Sequence, residues 1–172
     1  MLCFDYIAAP AVLDAAGTAC EDRQSPLRSS RLRRIDALFA RYGESHRNPA
    51  NKAIHWVCVP LITWSVVAAL WAWSPVVAYV GIALALGFYA WLSPTIAMGM
   101  LAVLALMVYP LTRLGANALA VAAVVFVLAW VGQFIGHLIE GRKPSFFEDV
   151  KFLLVGPAWL LASVYRRAGI RY

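Results

Sequence analysis

Apolar residues in this chain come in long unbroken runs, and the polar positions fall at the joints between them. From Ala53 to Thr112 there is no Asp, Glu, Lys or Arg, and Asn117 to Ile139 repeats the pattern. A helix that crosses a bilayer needs about 20 mostly apolar residues. The first run therefore holds up to three spans and the second supplies a fourth. Ser74-Pro75 and Ser93-Pro94 predict turns within the first run, because proline disfavours helical geometry in the residue before it. Upstream, RLRRIDALFARYGES (Arg31 to Ser45) places Leu32, Ile35, Leu38, Phe39 and Tyr42 at helical spacings and leaves the arginines largely on the remaining surface. That pattern predicts an amphipathic helix lying on a membrane. Downstream, the uncharged segment Phe152 to Tyr165 is short for a span and carries Gly156-Pro157, which predicts an interfacial or re-entrant hairpin.

The expected fold is thus an all-α membrane protein. It has about four transmembrane helices, an N-terminal amphipathic helix and a C-terminal interfacial or re-entrant hairpin. Residues 1–30 read as a mobile tail, or as the product of a start codon assigned too early, and residues 31–172 as a single helical transmembrane domain. Asp5 and Asp14, with no basic residue ahead of a weak apolar stretch, do not make a signal peptide. Composition points the same way: 62% of the residues are hydrophobic and 14% charged, which is too apolar for an ordinary water-soluble domain.

Charge adds an orientation. Of the fifteen Lys and Arg, eight precede Ala53, six follow Glu140, and Arg113 alone lies between. By the positive-inside rule both termini are cytoplasmic. Basic flanks of this kind serve orientation and contact with lipid headgroups, so no nucleic-acid partner is expected. Membrane lipids are. The Ala- and Arg-rich composition suggests a GC-rich genome, hence a bacterial inner membrane rather than endoplasmic reticulum. Cys3, Cys20 and Cys58 have no metal-type spacing and read as free thiols. Oligomeric state is not encoded in any visible pattern.

The chemistry sits at the joints. Two of the three histidines, His46 and His55, stand where the first apolar run begins. In one continuous helix, nine residues would put them on opposite faces. Asn48-Pro49 breaks and restarts the helix, with Asn as its cap and Pro at its first position, and so lets the two rings converge. In the new helix Asn51 and His55 share a face. At the far end of the last span, Gln133, His137 and Glu140 lie on one stripe. Four spans joining two cytoplasmic ends would return His137 and Glu140 to the level of His46 and His55. Gly132 and Gly136 fit a close helix contact.

Ionisable groups at the edge of a span are costly and usually have a task. Three imidazoles beside a carboxylate suit a metal: three histidines match catalytic zinc, and two or three with a carboxylate match non-haem iron(II). Cys58, one turn beyond His55, stays within reach by spacing. Three histidines are too few for a di-iron membrane desaturase. The tryptophans, mostly near span ends, read as an aromatic belt, and Glu148 and Asp149 as solvated or helix-start charges.

The combination Tyr42-x3-His46-x4-Asn51-x3-His55-x4-Pro60, followed by Gln133-x2-Gly136-His137-x2-Glu140-x-Arg142-x-Pro144, resembles the Mpo-type 2-hydroxy fatty acid dioxygenase family over about Arg33 to Trp159. Cys58 and the KPSFFEDV segment after Arg142 differ from the family's usual pattern. The resemblance implies an Fe2+-dependent alpha-oxidation without 2-oxoglutarate, in which a long-chain 2-hydroxy fatty acid and dioxygen give the acid one carbon shorter. Such a step belongs to sphingolipid (phytosphingosine) breakdown. It also implies that His46, His55 and His137 support iron binding, with Glu140 as a ligand or a nearby acid. Within this frame Tyr42, Asn51 and Gln133 are expected to hold the ligands in place. Arg47, Lys52, Arg142 and Lys143 are expected to steer the substrate carboxylate. Two other classes compete: a non-catalytic membrane scaffold or lipid-binding protein, and a zinc-dependent lipid hydrolase.

Overall fold

Each joint named by the sequence ends one helix and starts the next. The computed structural model describes residues 34–141 and 152–172, which form part of one compact unit, Arg33–Tyr172. Among them α1 (Arg34–Glu44) is followed by α2 (Pro49–Trp73), α3 (Pro75–Leu92) and α4 (Pro94–Leu114). A 3-10 turn (Gly115–Asn117) then leads to α5 (Ala118–Ile139), and α6 (Val155–Arg167) closes the chain. No strand occurs among the described residues. The expected tail, residues 1–30, lies outside them.

The starts of α2, α3 and α4 are built alike. Asn48 accepts a hydrogen bond from the Ala50 N–H at 2.8 Å, and Pro49 occupies the first helical position of α2. Ser74 is extended, donates its N–H to Leu70 O at 2.9 Å and accepts from the Val76 N–H. Ser93 does the same between α3 and α4, donating to Tyr89 O and accepting from Ile96. One residue thus serves as carboxyl cap for one helix and amino cap for the next, so the two chains reverse with no intervening loop. Gly115 has φ +53°, a left-handed value that an L side chain resists, and there the chain leaves α4.

The four apolar segments of the sequence are four helices. They make three stretches long and apolar enough to cross a membrane, Pro49–Trp73, Pro75–Leu92 and Pro94–Ile139, the last containing the turn at Gly115. Their outer surfaces carry large apolar side chains: Met98 is 74% exposed and Leu106 75%. That is the inverse of a water-facing helix and suits contact with lipid. Trp73 and Trp91, at the ends of α2 and α3, are exposed too, as an aromatic belt requires.

Packing decides which ends meet. α5 lies antiparallel along α2, with Gly132 against Cys58 and Gly136 against Asn51. A Cβ at Gly132 would stand 2.6 Å from Cys58 Sγ, and one at Gly136 would collide with Asn51 Oδ1. Absence of those two side chains lets the backbones approach closely. A second core joins α1, α2, α3, α4 and α6 through Ile35, Phe39, Ala68, Tyr89, Ile96 and Ala158. Tyr89 Oη donates to Leu154 O at 2.8 Å, and the Arg34 guanidinium lies 4.6 Å from the centre of the Trp91 ring. The start of α2 and the ends of α3 and α5 therefore share one end of the bundle with α1 and α6.

One expectation is corrected. Gly156-Pro157 does not break the C-terminal segment into a hairpin; both residues sit in the first turn of the continuous helix α6. Proline is tolerated there, because the N–H groups of a first helical turn have no partner within their own helix. Gly156 serves close packing instead, since a Cβ on it would meet the Tyr42 hydroxyl at 3.1 Å and Val59 at 3.3 Å.

Candidate metal centre

The kink at Asn48 brings His46 back over the first turns of α2. His46 and His55 have ring centroids 4.3 Å apart, and His137, from the last turn of α5, lies 5.0 Å from His55 and 5.5 Å from His46. All three are buried, at 3%, 1% and 5% exposure. One ring nitrogen from each lies within 4.8 Å of the other two. Metal–imidazole bonds are about 2.1 Å, so small side-chain rotations bring three nitrogens from this spacing onto one ion.

The backbone sets the chemical form of two of these rings. His46 Nδ1 is 2.6 Å from Tyr42 O, and His55 Nδ1 is 2.9 Å from Asn51 O. A carbonyl can only accept, so Nδ1 carries the proton, and in the neutral ring Nε2 keeps its lone pair. This is the tautomer a metal needs, held by the partner that metal-binding histidines usually have. Each acceptor lies four residues earlier: Asn51 on the preceding turn of α2, and Tyr42 in the last turn of α1, just before the linker that carries His46. The Tyr42 ring also stacks on His46, with centroids 4.2 Å apart and planes 17° apart, while Trp159 of α6 closes in at 6.0 Å.

Glu140 stands apart from the three imidazoles. Its carboxylate accepts from the Arg47 N–H at 2.8 Å, from the Asn48 N–H at 2.9 and 3.2 Å, and from Asn51 Nδ2 at 3.0 Å. It therefore caps the amino end of α2 from the carboxyl end of α5, where the helix dipole favours a negative charge. Partial burial raises its pKa, but the hydrogen bonds from Asn48, Asn51 and Arg47, with the nearby His46, outweigh this and hold the carboxyl below its ordinary range. Asn51 also donates to Ser45 O at 3.2 Å. Its amide thus ties the linker between α1 and α2 to Glu140, while its main-chain carbonyl orients His55.

Of the expected supporting residues, Tyr42 and Asn51 reach the histidines through their carbonyls and Tyr42 through its ring face. Gln133 is buried one turn before His137, and its Oε1 has no hydrogen-bond partner among the described residues. Arg47 is exposed and Lys52 half-buried beside the cluster; Arg142 and Lys143 lie outside the described residues, as do Glu148 and Asp149. Cys58 is turned to Gly132 and is not among the clustered ligands. Sequence spacing missed Trp159 and Gly156, because Gly156-Pro157 read as a break. The Asn51 carbonyl, by contrast, was findable, since a helical histidine such as His55 has a carbonyl four residues upstream.

A family model described as 2-hydroxy-palmitic acid dioxygenase Mpo1-like matches residues 32–168. No curated protein and no solved structure matches the chain.

Proposed function

We propose, because the chain belongs to the 2-hydroxy-palmitic acid dioxygenase Mpo1-like family, that it is an iron(II)-dependent membrane dioxygenase. Its substrate is a long-chain 2-hydroxy fatty acid, shortened by one carbon as in the alpha-oxidation of sphingolipid-derived acids. The observation that carries this reading is the buried meeting of His46, His55 and His137, two of them held with the proton on Nδ1. A scaffold has no use for three desolvated imidazoles.

His46, His55 and His137 would hold the iron. When bound, Fe2+ would supply the redox chemistry that lets dioxygen react with an organic acid. The rest is done by the chain. Tyr42 O and Asn51 O keep the two imidazoles in the ligating tautomer. Asn51 and Glu140 fix the turn that carries His46. The cluster lies at one end of the apolar helices, so a fatty acid can leave its tail among them and present its head at the rim, where the cations Arg47 and Lys52 attract the carboxylate. Arg142 and Lys143, by sequence position, belong to the same rim. The basic segments flanking the apolar helices place this rim, and both termini, on the cytoplasmic side.

A set of three imidazoles without a clustered carboxylate also suits zinc, and the two readings part on oxygen. Protein purified anaerobically with iron(II) is expected to hold about one iron per chain and to consume oxygen with 2-hydroxy acids; His137→Ala is expected to hold none. Undiminished turnover after complete iron removal would overturn the proposal.

A further inference from the structure

Beside the histidine cluster, between α2, α5 and the start of α6, lies a narrow cleft of about 20 Å³ bordered by Tyr42, Val59, Ile62, Trp130, Gln133 and Pro157. That is room for a single water-sized group. The cleft begins at the level of the site, since Tyr42 stacks on His46 and Gln133 is one turn before His137. It follows α2 from Val59 to Ile62, which lies about 10 Å beyond His55 at 1.5 Å per residue. Val59 and Ile62 make that wall aliphatic, and Trp130 faces the same space from α5.

One wall residue is out of keeping. Gln133 is only 6% exposed, yet its Oε1 meets no hydrogen-bond partner among the described residues. A buried amide oxygen without a partner destabilises a fold, so such an atom usually awaits something. It borders a space sized for a hydroxyl, next to the proposed reacting centre.

We infer that Gln133 is a specificity-determining residue that reads the 2-hydroxyl of the substrate, the one group for which the cleft has room. The inference rests on the 2-hydroxy acid reading given above. A hydroxyl donates and accepts, so it satisfies the amide through Oε1 or Nε2. The methylene at C2 of an unsubstituted fatty acid satisfies neither, and filling the cleft with it strands the amide. A 2-oxo group accepts only, and satisfies the amide in one orientation. Discrimination by an unpaired buried polar group is far stronger than an apolar pocket achieves by shape.

The test measures binding by the metal-free full-length protein in lipid nanodiscs, with 2-hydroxyhexadecanoate and hexadecanoate as probes. Wild type is expected to prefer the hydroxy acid at least about tenfold. Gln133→Leu is expected to bring the two affinities within about twofold of each other, mainly by weakening the hydroxy acid, without lowering the melting temperature, since Oε1 has no bond to lose among the described residues. Gln133→Met, unbranched and of similar length, is expected to behave likewise and covers failure of the leucine variant to fold. If the variants keep the wild-type ratio, the cleft holds a structural water only and the assignment of Gln133 falls, while the dioxygenase reading stands. If iron-loaded wild type consumes no oxygen with 2-hydroxy acids, that reading falls and takes the inference with it.

Discussion

Glu140 shows how two adjacent roles can share one sequence signature. A carboxylate three residues after a histidine lies on the same helical stripe, so spacing alone offers it as a ligand. α5 ends at Ile139, however, and the carboxylate at the helix end turns to the free N–H groups of α2. Glu140→Gln is accordingly expected to retain iron close to the wild-type stoichiometry, whereas His55→Ala is expected to lose it; metal analysis of both proteins decides. The carboxyl also makes stability depend on pH. Its folded pKa is depressed, so its contribution is complete above the unfolded carboxylate pKa and disappears as pH falls through the lower folded value. Melting temperature should fall on acidification through that window in wild type, and less in Glu140→Gln. The sequence could not reveal this role, because a cap between residues about ninety positions apart has no local signature.

At the scale of helices the sequence was most legible where one residue performs one local task. Ser74-Pro75, Ser93-Pro94 and Asn48-Pro49 each stop a helix or start one through their own backbone chemistry, and the structure has its joints there. Legibility fails where the same pair of residues is used by a neighbour, as at Gly156-Pro157, whose glycine admits Tyr42 and Val59. The contact of α2 with α5 depends on Gly132 and Gly136 in the same way. Gly132→Ala should push its new methyl into Cys58 and destabilise by about 1–3 kcal/mol. Cys58→Ala in the same chain should recover much of that, and a double-mutant cycle of thermal unfolding measures the coupling.

For the whole molecule, the antiparallel pairing of α2 and α5 requires that the cluster be built at one end and the turns at Ser74 and Gly115 lie at the other. Single cysteines at Ser74 and at Tyr172, introduced with Cys3, Cys20 and Cys58 replaced, should react with a membrane-impermeant thiol reagent from opposite sides of sealed vesicles, Tyr172→Cys from the cytoplasmic side. Labelling of both from one side would contradict the arrangement. The clasp between Glu140 and the Arg47–Asn51 segment has a further consequence, in time rather than in space. His46 and His55 leave the ribosome early, but their third companion and the clasp arrive only with the end of α5. A growing polypeptide therefore cannot bring the three imidazoles together until its last long apolar helix has been made, and assembly of the candidate site becomes a late event of biosynthesis.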